Sequence, residues 1–573
     1  MTDNSFDSAA SARLEAAERA LMQGRLDRRT FTKIASAAGL SLAAIAQTVG
    51  FAQQARAQQD TNAANLAGQY DYIVVGAGSG GCVVAARLSE NPAVNVLLLE
   101  EGGWDTAPSV SDPSVWFTNI GTPRSYVYPF HATHCNDRTI PLAMGRGIGG
   151  GSMINASVWA RGHKENYQHW AHATGDAGWG YDSVLDIYRR IEDWQGPASP
   201  WRGKGGNVYV KQLDGVNPIA PAMVQATAAL GVPASDDLNG ATMESHGGVG
   251  IAQALVKDGQ RHGVAKAYLY PALTRPNLTV LTGAEVTSLA FVGDRCTGVN
   301  FLYNGASKSI AAARETVLSA GTVGTPKLLM LSGIGPANEL AAMGIKVRLN
   351  APNVGKNVYD HILLGGCLWA YKQGLPPRNN AAECTFFWRS DFAREAPDIQ
   401  PFQIEVPFAT DTNAKAFPMA AAAWTIAPGL VQPRSHGTVK LASADHTQMA
   451  IVDPNYLAEP DDMRALKQAV ALCREIGNSK EMAAYVDHEI MPGPLTGTAL
   501  EDFIRNGAGT YYHLVGSCAM GAAHDAVTTP DLRVRGVRGL RIADASVMPS
   551  PTTGNTMAPS VIIGERAAAL IMA

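Results

Sequence analysis

One histidine follows two tyrosines and opens a run of small residues: Tyr511-Tyr512-His513-Leu514-Val515-Gly516-Ser517-Cys518-Ala519-Met520-Gly521. An imidazole titrates near neutrality, so it can accept a hydroxyl proton, bind a metal or activate a nucleophile. It can equally be a packed core side chain, and between Tyr512 and Leu514 in isolation that is the better reading. Metal binding has little support. A His513/Cys518 pair has no further ligands nearby, and His131-x2-His134-Cys135 and His169-x2-His172 each lack a second cluster, so no metal site is expected. No Gly-x-Ser-x-Gly elbow stands between a strand and a helix, and nothing marks Ser517 as a nucleophile.

The elements that must position such chemistry are clearest at the other end of the chain. Tyr70 to Val75 reads as a buried strand, Gly76-Ala77-Gly78-Ser79-Gly80-Gly81 turns it into the helix Cys82-Val-Val-Ala-Ala-Arg-Leu-Ser-Glu, and a second strand, Val94 to Leu99, ends at Glu100. This is a dinucleotide fingerprint in its required setting. Gly76 permits the tight turn, Gly78 lets backbone approach a pyrophosphate, Gly81 lets helix and strand pack, and Glu100 can hydrogen-bond a ribose hydroxyl. It does not separate NAD from FAD. Near the C-terminus Leu540 to Ala543 reads as a short strand closed by Asp544, a cofactor contact or a turn cap, and a Pro/Gly-rich loop leads to a helix with Pro559 in its first turn.

Three further segments bear on that choice. They are Gly145-Arg-Gly-Ile-Gly-Gly-Gly-Ser-Met-Ile-Asn155 running on to Gly162; Gly321 to Pro336, followed by Asn353-Val-Gly-Lys-Asn-Val-Tyr-Asp-His361; and the block from His513 to Glu565. With the fingerprint, they resemble the signatures of the glucose-methanol-choline (GMC) oxidoreductases, in that family's order, along nearly all of the chain after residue 66. The resemblance implies FAD. It places the loop of Gly149, Ser152 and Asn155 against the flavin and its diphosphate, and adds Ser79, Val286, Asp544, Ala545 and Thr556 as cofactor contacts. The positive end of the C-terminal helix suits the N1–C2=O edge of a flavin, which becomes anionic on reduction. Some members carry a histidine bonded covalently to FAD in the first signature. Ile154 stands there in this chain, so the FAD is expected to be non-covalent.

The same resemblance makes His513 the general base and Asn555 the group that orients the substrate oxygen. Oxidation of an alcohol, a primary CH–OH donor, would then proceed by proton removal and hydride transfer to flavin N5, with an aldehyde or ketone as product. Tyr512, next to the base, is expected in the substrate pocket, and Trp369, Phe402 and Phe408 are candidates for its wall. Within the family electrons pass to oxygen or to a carrier such as a quinone or cytochrome, and no motif separates oxidase from dehydrogenase. The fold also hosts hydroxynitrile lyases and a photodecarboxylase; the His513/Asn555 pair favours oxidation.

The bulk properties agree with an enzyme for a small molecule. The 573 residues exceed one ordinary core, Lys+Arg 46 nearly balances Asp+Glu 50, and no basic run points to nucleic acid or an anionic membrane. Arg28-Arg29-Thr-Phe-Thr-Lys33, a mildly apolar stretch from Ile34 to Ala52, and Ala55-Arg56-Ala57 resemble a twin-arginine export signal over residues 1–57. Export to the periplasm through that machinery is expected, with no stable membrane insertion once the signal is cleaved. Seven scattered cysteines do not suggest a disulfide framework. The expected fold class is α/β, α+β overall. A Rossmann-like FAD domain would take 66–213, 255–358 and 510–573. A substrate domain on an antiparallel sheet with helices would take 214–254 and 359–509, drawing strands from Ile399 to Val406 and Gly437 to Leu441 and a helix from Asp461 to Ile476.

Overall fold

The computed structural model describes residues 17, 30, 33, 58, 59, 61–104 and 107–573. Arg28, Arg29 and the expected cleavage site at Ala57 lie outside the described residues.

The first sheet is built from β1 (Gln69–Val75), β2 (Val96–Glu100), β3 (Leu278–Thr282), β4 (Ala284–Val292), β5 (Arg295–Tyr303), β6 (Ala306–Leu318) and β7 (Leu540–Ile542). Its order is β3-β2-β1-β6-β5-β4, with β7 also on β6. All five residues of β2 are buried, as parallel strands covered on both faces must be. The long β6 does two jobs. Its first half pairs antiparallel with β5, and its second half runs parallel to β1 and β7. The ends of β1, β2, β6 and β7 are thereby brought to one rim, where an α/β sheet binds its ligand.

Helix α1 (Ser79–Leu88) leaves that rim and packs against α2 (Met557–Met572). A Cβ on Gly81 would lie 1.9 Å from the Gly76 oxygen, and one on Gly80 would lie 2.0 Å from the Ala543 oxygen. Glycine is therefore required at both positions by backbone packing.

The second sheet is antiparallel, in the order 486–491, 368–371, 423–427, 402–404, 384–387 and 248–251. Two of the strand expectations change. Only Phe402–Ile404 of the 399–406 run is a strand, because Pro401 has no N–H to extend the ladder. Thr438–Lys440 pairs with Ile451–Asp453 in a separate two-stranded sheet and never joins the six strands. The expected helix runs from Pro460 to Gly477, with Pro460 in its first turn, and buries Met463, Leu466, Ala469, Val470, Cys473 and Ile476 at helical spacing. Its end crosses Trp369, whose ring also stacks on Trp424 at 4.9 Å. Among the described residues no helix is long and apolar enough to cross a membrane, and all seven cysteines are buried free thiols.

Candidate active site

A cavity of about 380 Å³ runs from the rim of the first sheet to the face of the second. On the rim side it is lined by Gly76, Gly78, Ser79, Glu100, Ser152, Asn155 and Val286, and by Asp544, Ala545 and Thr556. Helix α1 opens at Gly78 without a side-chain cap, so its first N–H groups are free to meet an anion. A Cβ on Gly78 would find only the Ser319 oxygen, at 3.6 Å, and one on Gly151 would find nothing within 4 Å. These glycines therefore border open space rather than packed backbone. A cradle of bare backbone, an uncapped helix end and an acid at the end of β2 fit the diphosphate and ribose of FAD.

Two predicted contacts do not line the cavity. Gly81 is occupied in packing α1 on the Gly76 turn, as above. Gly149 ties its loop to the turn after β1, its N–H going to the Ala77 oxygen at 2.7 Å and its carbonyl taking the Ser152 hydroxyl at 2.7 Å. Both shape the cradle from behind. Asp544 is a cap and a cavity residue at once: it accepts from Gly321 N at 2.9 Å, Thr325 Oγ1 at 2.6 Å and Ser546 N at 2.8 Å.

At the other end His513, Asn555 and Tyr512 meet. Residues 508–510 pair with Ile362–Leu364, and Tyr511 N donates to the His361 oxygen at 3.0 Å, which sets His513 beside His361. Asp360 pins the turn. It accepts the His513 N–H at 2.8 Å, the Thr510 hydroxyl at 2.6 Å and the Tyr456 hydroxyl. Tyr512 adopts φ +65°, a conformation most side chains avoid, and its ring meets Trp116 edge-on at 6.3 Å.

A tautomer of His513 is assigned from its hydrogen bonds. Gln400 Nε2 donates to Asn555 Oδ1 at 3.3 Å, so the Asn555 amide presents Nδ2 to His513 Nε2 at 3.2 Å. An amide nitrogen can only donate, so Nε2 carries the lone pair and Nδ1 carries the proton. That proton points at His361 Nδ1, 3.0 Å away. Burial pushes the His513 imidazole down to about 3, and burial together with His513 pushes His361 well below its ordinary range. Both rings are neutral and His513 Nε2 is a free base.

His361, Asp360 and Gln400 were not assigned roles from sequence, although Asp360-His361 closes a segment singled out there. Arg261 was missed as well. It is buried and holds Asn155 Oδ1 and Ser157 Oγ at 2.8 Å each. Of the proposed wall, Phe402 and Phe408 line the cavity, whereas Trp369 belongs to the layer between helix and sheet.

Behind the wall, the carboxyls of Glu383 and Glu405 face one another, both buried. Burial and then Glu383 raise Glu405 well above the carboxylate range, so the pair holds a proton at neutral pH. A raised carboxyl stabilises the fold while protonated, and that contribution is lost as pH rises through its folded value. Glu405→Gln keeps a donor that cannot ionise. Its melting temperature should fall less than the parent's between about pH 6 and 9, a difference on the order of 2 kcal/mol at the alkaline end. Parallel melting curves would show that the pair holds no proton.

A nucleotide cradle joined to a desolvated, neutral imidazole and its amide partner is the arrangement an FAD-dependent alcohol oxidoreductase requires. The comparisons with known proteins agree. Sequence patterns described as GMC oxidoreductase match residues 70–363 and 433–564, and the chain belongs to the GMC oxidoreductase family. It is 35% identical over 535 residues to an alcohol dehydrogenase (acceptor) of Pseudomonas putida, covering 88% of this chain and 96% of that one. It is 35% identical over 522 residues to choline oxidase of Arthrobacter globiformis, covering 88% and 94%. Among solved structures it is similar to pyridoxine 4-oxidase from Mesorbium loti, with TM-score 0.83, 33% identity, and 87% of this chain and 98% of that one covered.

Proposed function

We propose that the chain oxidises a primary alcohol to an aldehyde with His513 as general base and Asn555 as the group that holds the substrate oxygen. The observation that carries this reading is the unprotonated Nε2 of a buried, neutral His513, oriented by Asn555 at 3.2 Å beside the cavity. Non-covalently bound FAD would supply the acceptor for the carbinol hydride. Nε2 takes the hydroxyl proton, and the Asn555 Nδ2 that oriented the ring is placed to donate to the oxygen as negative charge develops. The new imidazolium is costly in a buried site. His361 Nδ1, already at 3.0 Å from Nδ1, spreads that charge over two rings.

The first-sheet and second-sheet segments are proposed as FAD and substrate domains with the boundaries given above. Electrons would go to a quinone or another carrier, a reading supported by the export address and by the acceptor-type dehydrogenase of P. putida. The twin-arginine signal would deliver the folded protein to the periplasm. Just past the proposed cleavage site, Gln59 and Asn62 hydrogen-bond the Leu273 and Leu278 carbonyls at 2.8 Å, which ties this segment to the first sheet.

Anaerobic mixing of the purified protein with primary alcohols tests the chemistry: the visible flavin absorbance should bleach. A dye or quinone should then restore the colour faster than oxygen does. Failure of every alcohol to bleach the flavin would remove the proposal, and faster recovery with oxygen would make the protein an oxidase.

A further inference from the structure

The wall around His513 has a uniform character. The Tyr511 ring stacks on the imidazole at 4.8 Å and 23°, and Phe402 meets Tyr511 edge-on at 6.2 Å. Leu363, Ala382, Ile404 and Val158 belong to the same apolar cluster, and all of them line the cavity.

The carboxylates that line the cavity stand elsewhere and are engaged. Glu100 accepts two backbone N–H groups at 2.8 Å, Glu101 takes Arg146 at 3.0 Å, Glu285 takes His446 at 2.8 Å, and Asp544 has its three donors. They belong to the first-sheet side, at the end of β2, on β4 and after β7. The acids nearest the apolar end, Asp360, Glu383 and Glu405, are buried behind it and do not line the cavity. Among the described residues no carboxylate belongs to the apolar wall. Its hydrogen-bonding capacity is also small. The Tyr511 hydroxyl is given to the Gln400 oxygen at 3.1 Å, and the Asn555 oxygen is taken by Gln400. What remains for hydroxyls is the His513/Asn555 pair with Tyr512 beside it.

Resting on the alcohol-oxidising reading of His513 and Asn555, we propose that this end of the cavity selects uncharged, apolar alcohols and turns away quaternary ammonium alcohols and polyols. A cation placed there loses its water without gaining a counter-ion, and the aromatic faces restore only part of the loss. The hydroxyls of a polyol outnumber these partners, and each one left over is stripped of water without compensation. An alkyl or aryl group, by contrast, exchanges water for Leu363, Ile404 and Phe402. The site that pushes the His513 imidazolium down by burial alone penalises any other cation for the same reason.

The test separates charge from shape. Choline and 3,3-dimethylbutan-1-ol have nearly the same outline and differ in the charge. Anaerobic flavin reduction by the holoenzyme should favour the neutral alcohol over choline by about 100-fold or more in kred/Kd, with benzyl alcohol and 1-hexanol active and glycerol inactive. Phe408→Glu places an anion on the half-buried part of the wall and should narrow the neutral-to-choline ratio at least about tenfold, with the FAD spectrum reporting that the fold is intact. Choline reducing the flavin as fast as its carbon analogue would overturn this inference and leave the alcohol chemistry standing. Silence from every alcohol would overturn both.

Discussion

His513→Ala retains its yellow colour and is reduced by alcohol about 10² to 10⁴-fold more slowly than the parent, the usual contribution of a positioned general base. The structure explains why colour and rate should separate. The His513 ring stands at the apolar end, while the glycine cradle and Glu100 lie on the first-sheet rim. Truncation therefore removes the lone pair at Nε2 and leaves the nucleotide contacts untouched. An unchanged rate of reduction would take His513 out of the mechanism. The parent's pH profile gives a second reading of the same residue. Burial pushes the imidazole down to about 3, so the base stays unprotonated far into acid. The rate of flavin reduction at low alcohol concentration, which reports the free enzyme, should stay flat from about pH 8 down to about pH 5. An acid limb centred near 6.5, the value of a solvated imidazole, would contradict the burial of the ring.

Gly78→Val and Gly81→Ala should both lose FAD, for different reasons that a folding measurement tells apart. At Gly78 a Cβ has ordinary room, its nearest contact being the Ser319 oxygen at 3.6 Å, but the side chain enters the cavity where backbone must approach a diphosphate. Gly78→Val is expected to keep its circular dichroism, melt within a few degrees of the apoprotein and bind FAD at least about 100-fold more weakly. At Gly81 a Cβ lies 1.9 Å from the Gly76 oxygen, a distance no side chain can tolerate. Gly81→Ala must displace α1 from the sheet, so it should be poorly soluble or molten as well as colourless. Normal FAD content in Gly78→Val would show that the cofactor does not approach this turn. A well-folded Gly81→Ala would show that α1 is not packed as described.

What could be read from the sequence was what short-range geometry controls. The turn from β1 to α1, the acid at the end of β2 and the proline in the first turn of α2 are written in stretches a few residues long. Glycine, proline and buried apolar runs have local conformational consequences there. Family signatures pointed to His513, Asn555 and the expected cofactor contacts, and most of these residues line one cavity. The partners of those residues were hidden because they come from distant segments. His361 is 152 residues from His513, and Gln400 is 155 from Asn555. Asp360-His361 stood inside a quoted segment, yet only the antiparallel pairing of 362–364 with 508–510 gives it a purpose.

The aromatic residues show the same limit. Trp369 and Phe402 both lie in strands of the second sheet, but one is sealed beneath the 460–477 helix and the other faces the cavity. A strand sends alternate side chains to opposite faces, so the sequence determined that there would be two faces. Which face meets a helix and which meets the cofactor cavity depends on how the layers stack, and the tertiary structure alone decided that. It also decided that His513 would be dry: an imidazole's pKa follows from what surrounds it in space, and its neighbours along the chain specify little of that.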